Sequence, residues 1–136
     1  MPSFGIKSKE HRDTCHYYIK VVLDEAIKII DFSVLEGNRL ESRQKRLFKE
    51  GKSKCDGIIN KSKHQTIPSL AVDIAPYPID FSDAEKARAR FYHLMGVIKA
   101  IAHTKGIEFR FGMDWDGDNT YTDQSFDDLQ HLEIII

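Results

Sequence analysis

The sequence predicts a small α+β domain: a mostly antiparallel sheet with two long helices packed on one side. Three observations predict it. Apolar residues recur at helical spacing in two separate stretches. Short alternating or β-branched runs lie between and after those stretches. The 136-residue chain fits one core, so residues 1–136 read as a single domain.

Residues 13–30 form the first expected helix, because Cys15, Ile19, Val22, Ala26 and Ile29 make one apolar stripe. Phe32–Glu36 follows as a strand ended by Gly37, and Glu41–Glu50 as a short charged helix stopped by Gly51. Residues 52–61 are a polar loop, and Leu70–Ala75 is a strand closed by Pro76 and Pro78. Ser82-Asp83-Ala84-Glu85 reads as a capping box with Ser82 as N-cap. The helix it opens carries Ala87, Phe91, Leu94, Ile98 and Ile101 on one stripe and ends near Lys105-Gly106. Ile107–Phe111 is a strand, residues 112–126 an acidic loop, and Leu132–Ile136 the last strand.

The net charge of -1 argues against a general polyanion binder. The charge is nevertheless polarised. Arg39, Arg43, Lys45, Arg46, Lys49, Lys52, Lys54, Lys61 and Lys63 face only three acids between residues 38 and 63. Between Glu108 and Glu133 the acids face Arg110 alone. Such a dipole fits either two solvated faces or a basic segment that meets an anionic surface. Nucleic-acid binding is poorly served, since the basic segment offers one aromatic, Phe48. Cys15 and Cys55 are too few for a disulfide framework and too far apart for a CxxC site. The first residues have no signal-peptide apolar run and no stretch reaches membrane-spanning length, which predicts synthesis in the cytoplasm.

The chemistry concentrates in three places. Asp128-Leu129-Gln130-His131 sets a carboxylate three residues before a histidine that opens the last strand. Ser62-Lys63-His64 supplies a second imidazole. Asp73 stands between Ala71 and Ala75 on one face of its strand, opposite Leu70, Val72 and Ile74. A carboxylate there is either paired or metal-bound, or it faces water from an edge strand. Two imidazoles, one carboxylate and a spare acid are the parts of a zinc hydrolase: three ligands leave a coordination position open, and the spare acid moves protons. A tight turn at Leu129-Gln130 would bring Asp128 to the reacting water while His131 holds the metal. Glu133 shares the face of His131 and reads as a supporting partner of that residue, not as a ligand. The loop Asp114-Trp115-Asp116-Gly117-Asp118-Asn119 alternates aspartates, but Asn119 and Ser125 stand where an EF-hand needs glycine and glutamate, so calcium is a weak reading.

Together these motifs resemble the zinc peptidases of bacterial cell-wall peptides: the D-alanyl-D-alanine carboxypeptidases and dipeptidases, and the phage L-alanyl-D-glutamate endolysins. The pattern of that family is Ser-x-His, Ala-x-Asp, then acid-x-x-His near the C-terminus. Here it matches Ser62-Lys63-His64, Ala71-Val72-Asp73 and Asp128-Leu129-Gln130-His131. The flanks Ile74-Ala75-Pro76-Tyr77-Pro78 and Phe109-Arg110-Phe111-Gly112-Met113-Asp114-Trp115 are also similar. The resemblance runs from about Val34 to the end and is strongest to single-domain endolysins. It implies zinc on His64, Asp73 and His131, with Asp128 as acid/base. It also implies that Arg39 polarises the scissile carbonyl, and it places Trp115, Ser62 and Gln44 against the substrate. The implied substrate is the peptidoglycan stem peptide, cut by a monomer that is made in a host cytoplasm and released onto the wall for lysis. Neither nucleic acid nor membrane is an expected partner. One departure is the eight residues between His64 and Asp73, where the family usually has six with a glycine. A bulge before the Leu70 strand would absorb them. The alternatives are cleavage at D-alanyl-D-alanine, or an inactive metal-stabilised wall-binding module, for which an intact Asp128 has no use.

Overall fold

The computed structural model describes residues 2–120 and 128–136. Among the described residues, four helices and four strands follow in the order α1 (Ile6–Asp13), α2 (Tyr17–Ala26), β1 (Phe32–Glu36), α3 (Glu41–Lys49), β2 (Ala71–Pro76), α4 (Ala84–Thr104), β3 (Phe109–Phe111) and β4 (His131–Ile134). A 3₁₀ turn at Lys63–Gln65 precedes β2. The strands form one antiparallel sheet ordered β1-β2-β4-β3.

The expected α+β class holds, and α2 and α4 pack on each other with α4 against β2 and β3. The helix expected over residues 13–30 does not. It is two helices, broken at Thr14–His16, where Cys15 bridges Ser69 and the His16 amide donates to the Ser69 carbonyl. His16 then caps α2 by accepting from the Tyr18 amide. The stripe itself survives: Cys15, Ile19, Val22 and Ala26 are buried, while Ile29 is exposed beyond the helix end. At α4 the N-cap is Asp83, which accepts from the Lys86 amide, and not Ser82, whose amide is turned back to Asp80. The acidic loop is described to Thr120, and the Ser125 comparison with an EF-hand lies outside the described residues.

Ile74 and Leu132 of the central strands pack with Ile19, Leu23, Leu94 and Ile98 of the helices in one core, all fully buried. Every residue of β2 is buried. Asp73 therefore sits at the centre of the sheet, and the edge-strand reading fails. Among the described residues, no helix is long and apolar enough to cross a membrane.

Two local devices set the functional face. Val34 pairs with Ile74 but Glu36 pairs with Asp73, so β1 carries an extra residue at Leu35. This bulge brings Glu36 into line with Asp73, where unbroken alternation would put Leu35. Asp73 in turn pairs with His131. A row Glu36–Asp73–His131 thus crosses three strands. The second device is the eight-residue spacer. Thr66 gathers it, its hydroxyl contacting the Lys63 and Pro68 carbonyls and accepting from the Leu70 amide. The extra residues are wound into this compact loop before β2.

Candidate metal centre and active site

Three atoms converge above the Asp73–His131 pair. His64 Nε2 lies 3.3 Å from His131 Nδ1 and 3.3 Å from Asp73 Oδ1, and His131 Nδ1 lies 3.4 Å from the same oxygen. All three residues are buried. Asp73 Oδ1 meets both rings within ion-pair distance, yet has no hydrogen-bond partner among the described residues. Tetrahedral zinc with bonds of about 2.0–2.1 Å has ligand–ligand edges of about 3.3–3.4 Å. The donor set, its spacing and the orphaned buried oxygen all fit such an ion.

The rest of each ring is spoken for. His64 Nδ1 donates to the Gly37 carbonyl at 2.7 Å, which leaves the Nε2 lone pair facing the centre. His131 Nε2 meets Glu133 Oε1 at 3.0 Å, which turns Nδ1 inward. Glu133 is steadied by Lys63 at 3.4 Å and Arg110 at 3.9 Å. Burial disfavours charge on Asp73, but the two imidazoles outweigh it and hold the carboxyl well below the usual range. Burial likewise opposes a proton on His131, but Asp73 and Glu133 outweigh it and push the imidazole up to about 9.

Asp128 lines the same open cleft of ≈ 1300 Å³ as the three donors. The His131 amide donates to the Asp128 carbonyl across Leu129-Gln130, so the expected tight turn is present. Burial raises the Asp128 carboxyl, and the charge of Asp73 adds to it. The turn is held by Gly112, whose amide donates to the His131 carbonyl and whose carbonyl accepts from the Asp128 amide. A Cβ at Gly112 would overlap the Asp128 carbonyl. Gly112→Ala should displace the acid and lower kcat about 100-fold with metal content retained; kinetics beside metal analysis of the purified variant checks this.

Arg39 is buried. Its Nε and Nη2 donate to Glu36 Oε1 at 2.9 and 2.5 Å, Nη1 to Gln44 Oε1 at 2.8 Å, and Nη2 to Asp73 Oδ2 at 3.4 Å. Four of the five guanidinium N–H groups are thereby engaged, one Nη1 proton has no partner among the described residues, and Arg39 lines the cleft. Binding Asp73 Oδ2 also leaves Oδ1 as the donor atom.

Of the expected substrate contacts, Gln44 stands apart from the cleft, whereas Ser62 lines it and also has a structural task. Gln44 is fully buried, its amide donating to Ser53 Oγ and the Cys55 carbonyl, so it braces Arg39 and does not reach the cleft. Ser62 is buried and caps the 3₁₀ turn: its hydroxyl accepts from the His64 amide while Gln65 Oε1 accepts from the Ser62 amide. This capping box fixes the backbone of a donor residue. Trp115 lines the cleft, its ring 5.3 Å from that of His131.

Residues not anticipated are Gly37, Asn38, Glu36 and Arg43. The Asn38 side chain donates to the His64 and Thr66 carbonyls. Gly37 is packed so tightly that a Cβ would meet Thr14 and the His11 carbonyl. The spare glycine after β1 was the only local signal for either.

A second group, made of oxygens only, exists where Asp114, Asp116 and Asp118 offer carboxylate oxygens within 4.8 Å of one another. Asp114 is buried, and its Oδ1 has no hydrogen-bond partner among the described residues. Hard cations take such donors, although this loop lacks the EF-hand pattern.

Two imidazoles and a carboxylate converging in an open cleft, beside an acid with a raised pKa, form a group that could hold a metal ion in the manner of a hydrolase. The comparisons narrow the class. A family model described as phage L-alanyl-D-glutamate peptidase matches residues 2–135, and the chain belongs to that family. The L-alanyl-D-glutamate peptidase of Escherichia phage T5 is 29% identical over 126 residues, covering 89% of this chain and 87% of that protein. The crystal structure of a Serratia marcescens L-Ala D-Glu endopeptidase matches with a TM-score of 0.69 at 20% identity, covering 98% of this chain and 90% of its own. That likeness speaks to the fold.

Proposed function

We propose that this chain is a zinc-dependent endopeptidase that cuts the L-alanyl-D-glutamate bond of the peptidoglycan stem peptide and so acts in lysis of a bacterial host. The observation that carries the proposal is the convergence of His64 Nε2, His131 Nδ1 and Asp73 Oδ1 at 3.3–3.4 Å in the cleft that also holds Asp128. Family membership supports the reaction class and the substrate.

Zinc, when bound at such an open site, polarises the scissile carbonyl and lowers the pKa of water to about 7. The protein's own groups do the rest. Asp128 takes a proton from the attacking water and delivers it to the leaving amine, and its raised pKa brings it closer to the range where both transfers are efficient. The remaining Nη1 proton of Arg39 faces developing charge on the carbonyl oxygen. Glu36 and Gln44 hold the guanidinium so that it does not reorganise at that moment. Trp115 walls the cleft beside His131. The protein acts as a monomer on the wall, with neither nucleic acid nor membrane as a partner.

Zinc binding should depend on pH in a defined direction. Without metal, His131 keeps its proton up to about pH 9, and zinc requires the neutral ring. Apparent affinity therefore rises with pH, by up to roughly tenfold per unit below that value, and levels off above it. Competition titrations across this range read the slope. An affinity flat with pH would remove the proton from the account.

The test of the function is loss and recovery. Chelation should stop the clearing of purified peptidoglycan suspensions, and one equivalent of zinc should restore it. Full activity after exhaustive chelation would overturn the proposal.

A further inference from the structure

We propose that Arg43 is the residue that reads the free carboxylate of the substrate's D-glutamate; this rests on the L-alanyl-D-glutamate reading above. Glutamate has two carboxyl groups. Whichever one continues the peptide, the other stays ionised within one residue of the scissile amide, so an enzyme for this bond meets an anion beside its catalytic centre.

Arg43 is built for such an anion. Glu36 is a shared bracket: Oε1 accepts from Arg39, and Oε2 accepts from Arg43 Nε. Arg39 itself touches the donor carboxylate Asp73, so Arg43 is held one guanidinium away from the metal centre. Its Nη1 and Nη2 groups have no partner among the described residues. The side chain is 46% exposed and lines the cleft. A guanidinium fixed through Nε with both Nη groups open presents a planar two-pronged edge, the form that suits a carboxylate.

Charge supports the same orientation. One carboxylate, Glu36, faces two guanidiniums, and burial opposes its charge while Arg43 and Arg39 hold it below its usual range. Further along the same cleft, Arg46 and Lys61 have no ion-pair partner among the described residues, while Lys52 pairs with Glu50 at 3.5 Å. Most of the basic segment seen in the sequence, from Arg39 to Lys63, therefore forms a wall of the cleft, Lys45 and Lys49 excepted. Such a wall attracts a peptide whose carboxylates continue beyond the cut.

The experiment compares two stem-peptide substrates that differ only in the free D-glutamyl group, carboxylate in one and carboxamide in the other. The zinc-loaded wild type should cleave the carboxylate form with kcat/KM about tenfold or more higher, chiefly through KM, as expected for a charge-assisted pair. In Arg43→Gln the ratio should fall toward one, and Arg43→Lys should recover part of it. Equal cleavage of both substrates by the wild type would overturn the role of Arg43 without touching the proposed function, and needs no variant. An undiminished ratio in Arg43→Gln would assign the preference elsewhere. Cleavage of neither substrate would defeat the parent reading instead.

Discussion

Asp128→Asn is expected to lower kcat by about 10²–10⁴-fold while the protein keeps one zinc per chain. The substitution preserves size and shape and removes the ability to move a proton. Asp128 stands outside the three converging donors, so metal binding has no need of it. Its place depends on backbone contacts with Gly112 and His131, which asparagine retains. The carboxyl is raised by burial and by Asp73, which suits a group that must first accept and then release a proton. Steady-state kinetics and metal analysis on one preparation separate the two effects. Wild-type turnover by the zinc-loaded variant would mean that another group moves the proton.

His131→Ala should have the second large effect, and it should reach stability as well as rate. Losing Nδ1 leaves two donors for the metal. It also strips Asp73 and Glu133 of the cation between them in the metal-free protein, where both are buried. Arg39 still meets Asp73, and Lys63 and Arg110 still meet Glu133, but a buried carboxylate that loses one of its partners is destabilising. Turnover should become undetectable. Zinc at about a thousand times its Kd should raise the wild-type melting temperature by about 10 °C or more, and should leave the variant unmoved. An equal zinc-induced shift in both proteins would mean that the ion binds elsewhere.

These two residues were legible in the sequence because their geometry is local. Alternation in a strand puts Glu133 on the face of His131, and a four-residue turn puts Asp128 beside both. The Asp73 strand was legible for a similar reason: a carboxylate between two alanines on an otherwise apolar run has few places to go. What escaped depends on partners distant in sequence. Helix α1 has no apolar stripe; its buried Ser8 is anchored by accepting the Val34 amide. The break at Cys15 is made by Ser69. Gln44 looks like a surface residue on a charged helix, and only Arg39, Ser53 and Cys55 make it a buried brace. The bulge at Leu35 exists only relative to β2, so no reading of β1 alone would align Glu36 with Asp73.

The reaction assigned to the cleft is tested most directly by the ends it creates. Purified peptidoglycan is digested with the zinc-loaded protein, and the new termini are identified by mass spectrometry after amine labelling. The account predicts new D-glutamyl amino ends matched by L-alanyl carboxyl ends, absent from the Asp128→Asn digest. Release of D-alanine, or no new ends at all, would contradict it.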